Sequence, residues 1–208
     1  MTNSIEYIYS NFRANYIDKP EFTIDFYEKN SIYINNIKQF KDKDDLRLYI
    51  EIVCKYAEAV YQKDRFNLAI DIVDKKQVFI DCELERLNAV NLKDALCNNL
   101  QFVKGMASYN LKDYKTATLI FKKLVQFDDK NDRYKNWLTH AQFGLKLWII
   151  RTINIICGGL LVTEMVFKSQ IPNYYVRQTI LLIGLLGLLS NWGVEYYLKR
   201  NHRKTNAN

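Results

Sequence analysis

Apolar residues recur every three or four positions through most of the first 146 residues, which is the period of an amphipathic helix. Residues 1–104 contain no glycine, and the only prolines are Pro20 and Pro172. Long helices joined by polar turns fit this composition better than a sheet with many tight turns. The pattern predicts helices over residues 4–18, 22–40, 45–61, 66–87, 93–111, 114–127 and 132–146.

The pattern changes after residue 146, where two apolar segments follow each other. They cover 147–168 and 176–198, and each has the roughly twenty residues that a helix needs to cross a bilayer. The loop between them is so short that the two helices must be antiparallel. We therefore predict an all-α chain: tetratricopeptide-like helical hairpins, followed by a transmembrane hairpin. A soluble alternative, in which this hairpin is a buried core, conflicts with the uncharged stretch between Arg177 and Glu195.

The sequence divides into four predicted regions. They are an N-terminal helical segment (1–44), a helical repeat domain (45–146), the transmembrane hairpin (147–198) and a basic tail (199–208). The net charge is +7, but residues 146–208 carry eight Lys or Arg and two Glu, so the rest of the chain is almost neutral. That balance excludes the basic surface that nucleic-acid binding requires. The cations flank the apolar segments and predict a domain and a tail that both face the cytoplasm.

The stretch GMASYNLKDYKTATLIFKKLVQFDD resembles the tetratricopeptide repeat (TPR), a helical hairpin of about 34 residues. Small residues stand where the two helices of such a hairpin touch, and rings fill the space between hairpins. A second copy is readable 48 residues earlier, which leaves extra residues that a lengthened helix through CELERL would accommodate. The predicted repeat-packing residues are Ala57, Phe66, Ala69, Gly105, Tyr114, Ala117 and Phe121.

The resemblance implies a scaffold that binds another protein in a concave groove lined by the first helix of each hairpin. The groove candidates are Lys55, Glu58, Tyr61, Asn99, Phe102, Met106 and Tyr109. Some relatives grip a C-terminal carboxylate with Lys, Arg and Asn, but here only Lys55 and Asn99 have suitable chemistry. The alternative for Phe102 and Met106 is that they pack against a neighbouring helix.

Three polar residues, Asn154, Glu164 and Asn191, fall inside the predicted spans, where polar groups are functional candidates. Glu164 lies one turn before Lys168, so an ion pair between them would lower the cost of its charge. The small residues of both spans permit close helix contact, within one hairpin or between subunits. The cysteines show no metal-binding or disulfide spacing and are expected to act as small buried hydrophobes.

No catalytic, nucleotide-binding or metal-binding motif is readable, so we expect neither an enzyme nor a cofactor. The leading hypothesis is a membrane-anchored adaptor that holds a cytosolic protein at the membrane, with a bacterial inner membrane as the expected location. The alternative is an oligomeric effector whose hairpin forms a pore or disrupts the bilayer. A third possibility is lateral regulation of another membrane protein.

Overall fold

A computed structural model of the chain describes residues 5–14, 19–89, 97–166 and 174–205. Within these ranges the chain is all-helical and contains no strand, which confirms the predicted fold class. The helices are α1 Ile5–Ala14, α2 Pro20–Asn36, α3 Lys43–Gln62, α4 Phe66–Arg86, α5 Asn98–Asn110, α6 Tyr114–Phe127, α7 Asp132–Val166 and α8 Tyr174–Thr205. The predicted ends of two helices, residues 15–18 and 93–96, lie outside the described residues.

The chain forms two compact units, Met1–Leu138 and Thr139–Asn208. We call the first the helical unit and the second the hairpin unit. The division falls within α7, whose first turns belong to the helical unit and whose apolar part belongs to the hairpin unit.

The helical unit begins with α1 and α2, which both pack on α3. Pro20 occupies the first turn of α2, where its missing N–H costs nothing. The rings of Tyr27 on α2 and Tyr56 on α3 stack with centroids 3.8 Å apart. Asp42 caps α3 by accepting hydrogen bonds from the backbone N–H groups of Asp44 and Asp45 at 3.1 and 3.0 Å. The predicted polar turn before α3 is therefore present, but α2 ends at Asn36, earlier than predicted.

The early end of α2 has a long-range cause, because the end of α4 holds the loop that follows α2. The buried carboxylate of Glu83 accepts hydrogen bonds from the Phe40 N–H at 2.8 Å and from Arg86 Nε at 2.9 Å. Arg86 also donates to the Phe40 carbonyl. The bond from Arg86 lowers the pKa of Glu83, so the carboxylate is the favoured form.

Two consecutive helical hairpins, α3–α4 and α5–α6, share the same turn. Asp64 and Lys112 both have a positive φ, 57° and 65°, and they lie 48 residues apart. Each donates its N–H to an equivalent tyrosine carbonyl, Tyr61 at 3.0 Å and Tyr109 at 2.9 Å. The offset between the two turns equals the offset read from the sequence pattern.

Side chains at the predicted repeat-packing positions lie where the helices of each hairpin meet. Phe66 packs on the Tyr61 ring and Tyr114 on the Tyr109 ring, with centroids 5.5 and 5.4 Å apart. A Cβ atom on Gly105 would lie 2.8 Å from the Phe121 ring, closer than real Cβ atoms approach a neighbour. Three alanines at these positions are fully buried: Ala57, Ala69 and Ala117.

The two hairpins differ in the length of their second helix. α4 has 21 residues and α6 has 14, a difference of seven. The added turns of α4 contain Glu83 and Arg86, the residues that hold the loop around Phe40. The lengthened helix predicted from CELERL is therefore present.

In the hairpin unit, glycines on α8 bring that helix close to α7. A Cβ atom on Gly184 would lie 2.5 Å from Leu161 Cδ2, and one on Gly187 would lie 2.5 Å from Cys157 Sγ. The same test finds open space at Gly158, so this predicted small position is not used within the hairpin. Of the two interpretations of the small residues, contact within one hairpin applies to Gly184 and Gly187.

Both helices of the hairpin unit are long and apolar enough to cross a membrane. Only 6% of the residues in the most apolar window of each helix are buried. A hairpin that formed the core of a soluble domain would be mostly buried instead, so the structure gives no support to the soluble alternative.

Candidate functional site

A cavity of about 630 Å³ lies in the helical unit, where α1 and α5 both contact α3. Its volume falls within the range of known ligand pockets. Three helices contribute side chains, and the mixture contains charged, aromatic and amide groups. The lining residues are Tyr9, Phe12, Arg13, Glu51, Cys54, Lys55, Glu58 and Asn99.

Helix α1 supplies the aromatic and cationic side of the cavity. Tyr9 donates its hydroxyl hydrogen to the Glu51 carboxylate on α3. Burial, and then this hydrogen bond, raise the pKa of Tyr9, so the phenol remains protonated at neutral pH. Phe12 is buried against Phe26 of α2, with ring centroids 5.1 Å apart. The exposed guanidinium of Arg13 lies 6.0 Å from the centroid of the Tyr9 ring.

Helix α3 supplies the central part of the lining, along one face of the helix. Lys55 and Glu58 form an ion pair at 3.2 Å on the partly exposed surface. The thiol of Cys54 lies 3.9 Å from the same Glu58 carboxylate. Burial raises the pKa of Cys54 to about 12, so the thiol stays protonated and is a poor nucleophile.

Helix α5 supplies the far side of the cavity through the exposed amide of Asn99. At the other end of the same helix, Asn110 donates a hydrogen bond to the Tyr61 hydroxyl at 2.9 Å. This bond joins the first helices of the two hairpins and fixes their spacing.

The seven groove candidates do not form one surface. Lys55, Glu58 and Asn99 line the cavity, whereas Tyr61 lies beside Asn110 and outside the lining. Phe102 and Met106 are buried. The structure therefore brings the three polar candidates together but does not add the apolar ones to the same surface.

Phe102 and Tyr109 belong to an aromatic cluster with the first turns of α7. The Phe102 ring lies 5.5 Å from Tyr134 and 6.2 Å from Trp137, measured between centroids. Tyr109 lies 5.5 Å from Trp137 in an edge-on arrangement. The guanidinium of Arg133 stacks over Phe102 at 4.1 Å. These contacts favour the alternative in which Phe102 packs on a neighbouring helix.

Five lining residues were not among the groove candidates: Tyr9, Phe12, Arg13, Glu51 and Cys54. Three of them lie on α1, which precedes the repeat pattern. The apolar spacing of Ile5, Ile8 and Phe12 indicates that α1 buries one face, and all three are buried. The spacing carries no information about which helix covers that face, so the α1 side of the cavity could not be predicted.

None of the three polar residues of the spans lines the cavity, and all three lie in the hairpin unit. Glu164 is 6% exposed and forms an ion pair with Arg177 of α8 at 3.1 Å. The partner predicted from spacing, Lys168, lies outside the described residues. The Asn154 amide oxygen is buried and has no hydrogen-bond partner among the described residues.

These positions share one face of each helix. Asn154, Cys157, Leu161 and Glu164 follow each other at spacings of three and four on α7, and Arg177, Gly184, Gly187 and Asn191 follow at spacings of seven, three and four on α8. We call these eight residues the hairpin seam. The contacts of Leu161 with Gly184 and of Cys157 with Gly187 fix its register, and Asn191 is half-buried along it.

The surface away from the hairpin seam is mostly apolar. Its exposed large side chains include Ile155, Val162, Met165, Leu182, Leu189 and Trp192. Such a surface is unstable in water and is suited to a hydrocarbon environment.

No family model matches the chain, and no curated protein or solved structure is significantly similar to it. Within the residues that the structure describes, no group of three His, Cys, Asp or Glu side chains could hold a metal ion. Its function must therefore be inferred from its own residues.

Proposed function

We propose that the protein is a membrane-anchored adaptor. Its TPR-like helical unit binds a segment of a cytosolic protein in the cavity between α1, α3 and α5. Its hairpin unit spans the membrane and keeps that complex at the cytoplasmic face. The observation that carries the proposal is the presence, in one chain, of a surface cavity of about 630 Å³ with a mixed charged and aromatic lining and of two apolar helices that have only 6% of their most apolar window buried.

The repeated turn supports the TPR-like part of the proposal. Asp64 and Lys112 occupy equivalent positions in two successive hairpins, and α3 and α5 are neighbours. Stacked helical hairpins present their first helices on one common surface, which many repeat proteins use to bind extended segments of partners. The cavity lies on this layer of first helices.

The hairpin seam supports an anchor over a pore. Glu164 and Arg177 neutralise each other between the two helices, and the exposed surface is apolar. A pore would need polar groups on a surface that several subunits could turn towards a common water-filled channel. Among the described residues of the hairpin, the buried Asn154 amide oxygen has no hydrogen-bond partner and favours a further contact.

Recruitment is tested with the full chain in cells. A photo-crosslinking amino acid at position 99 or 55 should capture a protein partner, and the same probe at exposed Leu119 on α6 should not. The Asn99→Trp variant fills the cavity, so the captured partner should move from the membrane fraction to the soluble fraction. A partner that stays with the membrane in the Asn99→Trp variant contradicts the proposal.

The anchor and pore hypotheses are distinguished by reconstituting the purified chain into dye-loaded liposomes. An anchor leaves the dye inside, both for the wild type and for Asn154→Leu. Leakage that disappears in Asn154→Leu, while the protein remains in the membrane, would establish the pore instead.

A further inference from the structure

The cavity is lined by two cations, Arg13 and Lys55, and two carboxylates, Glu51 and Glu58, but at its α1 end the cation and the carboxylate are not paired with each other. Tyr9 lies in the electrostatic field of Arg13, Arg47 and Glu51. The Glu51 carboxylate already accepts the Tyr9 hydroxyl hydrogen. Among the residues that the structure describes, neither Arg13 nor Arg47 has a carboxylate within ion-pair distance. Of these two exposed residues only Arg13 lines the cavity, so within the described part of the chain its guanidinium is the cavity cation without an ion-pair partner.

The charges of Lys55 and Glu58, elsewhere in the cavity lining, balance each other. Lys55 pairs with Glu58 at 3.2 Å, and the Cys54 thiol lies beside the same carboxylate. Across the cavity from α1, Asn99 offers one amide donor group and one acceptor. Those two functions complement the N–H and C=O of a peptide group in a bound segment.

We propose that the α1 end of the cavity selects a partner segment that carries an aspartate or glutamate side chain. This inference rests on the proposed function. A carboxylate at this place pairs with the fork of Arg13, which can donate two parallel hydrogen bonds. Helix α1 then forms part of the binding site, and Arg13 is its specificity residue. The residue lies outside the repeat pattern, so it would not be found by comparing the two hairpins.

The full chain, purified in detergent and immobilised, is panned with a phage library of random dodecapeptides fused through their C-termini. This fusion removes free carboxyl termini, so any acidic preference must come from side chains. Retained peptides should be enriched in Asp and Glu over the input library. A synthetic copy of a retained peptide should bind the Arg13→Glu variant about tenfold more weakly or worse, as expected for a lost charge-assisted hydrogen bond.

Lys115→Glu is the matched control, because it makes the same charge change at an exposed position on α6 outside the cavity. It should retain the wild-type peptides with unchanged affinity. Both variants alter exposed side chains, so their thermal unfolding should match the wild type.

Three outcomes overturn the inference, and they separate it from the proposed function. In the first outcome, the retained peptides do not bind the Asn99→Trp variant, but they are not enriched in Asp and Glu or they bind Arg13→Glu as tightly as the wild type. The cavity then binds a segment, and Arg13 does not select it. If binding requires a free carboxyl terminus, the side-chain assignment is wrong. If no peptide distinguishes Asn99→Trp from the wild type, the proposed function and the inference fail together.

Discussion

The two units of this protein place polar side chains on opposite sides of the same kind of structure, a pair of packed helices. In the helical unit, charged groups such as Arg13 and Lys55 stand at a surface cavity, and apolar groups lie inside. In the hairpin unit, Glu164 and Arg177 lie between the helices, and the outside is apolar. The reversal is what helices require when their surroundings change from water to hydrocarbon.

Close packing, by contrast, is achieved in the same way in both units. Gly105 lets α5 approach the Phe121 ring, and Gly184 lets α8 approach Leu161. The polarity pattern therefore distinguishes the units, whereas the use of glycine at a helix crossing does not. Each of the following variants tests one side of this comparison.

The largest effect is expected when the polar interior of the hairpin is broken. Glu164→Leu should destabilise the hairpin by about 4 kcal/mol, because it leaves the Arg177 charge unpaired between the helices. Unfolding in mixed micelles containing increasing sodium dodecyl sulfate, followed by circular dichroism, measures the change.

The double variant Glu164→Leu with Arg177→Leu removes both charges and should recover most of that loss. If the single and double variants are equally stable, the unpaired Arg177 charge is not the cause of the loss.

The shared role of glycine predicts a second effect of similar size in both units. Gly105→Leu and Gly184→Leu should each cost about 3 kcal/mol, since the added side chain meets Phe121 or Leu161. Thermal unfolding of the full chain in detergent measures the stability of Gly105→Leu, and unfolding in mixed micelles measures the stability of Gly184→Leu.

Gly193 provides the control, because a Cβ atom there meets nothing within 4 Å. Gly193→Leu should leave stability unchanged or raise it by about 0.5 kcal/mol through helix propensity. An equal loss at all three positions would contradict the packing argument.

An ion pair between the buried Glu83 and the exposed Arg86 also exists in the helical unit, but there it holds a loop. Glu83→Gln should cost about 2 kcal/mol at neutral pH, because it weakens the bonds from Arg86 and Phe40. The folded state lowers the pKa of Glu83, so this stabilisation is complete above the ordinary carboxyl pKa and is lost as the pH falls below it.

The difference between wild type and Glu83→Gln should therefore shrink as unfolding is measured at progressively more acidic pH. Glu85→Gln, an exposed change on the same helix, should show no such trend. A gap that stays constant with pH would mean that the charge of Glu83 is not what holds the loop.

The smallest effect concerns the α1 side of the cavity. Tyr9→Phe removes the hydrogen bond to Glu51 and should cost about 1 kcal/mol. The loss should appear as faster amide hydrogen exchange in Ile5–Ala14, with α6 unaffected. Unchanged exchange in α1 would show that Phe12 and its apolar neighbours hold the helix without Tyr9.

Local sequence signals predicted the helices and several of their ends. The period of three and four residues is a property of the segment itself, and the capping of α3 by Asp42 depends only on the next few residues. The two spans were predicted for the same reason. A left-handed turn residue was not predicted at Asp64 or Lys112, because neither is the glycine that usually signals one.

Contacts between residues far apart in the sequence could not be predicted. The spacing predicts that Glu164 pairs with Lys168, one helical turn away. The ion pair that the structure describes instead joins Glu164 to Arg177 on the other helix. The Glu83 contact with Phe40 crosses 43 positions and shortened α2 relative to its prediction. Lys55 and Asn99 could be grouped because the repeat pattern relates them, whereas Arg13 belongs to no repeated segment.

The seven-residue excess of α4 over α6 has a consequence for how this protein can change in length. Seven residues are almost two complete turns, so an insertion of that size rotates the following helix face by only about 20°. A single added residue would rotate it by about 100° and turn buried side chains such as Ile80 outward. Insertions and deletions in this helix should therefore be tolerated best in steps of seven, and removal of 80–86 should keep the helix register while removing buried Ile80 and Leu84 and releasing the loop before α3.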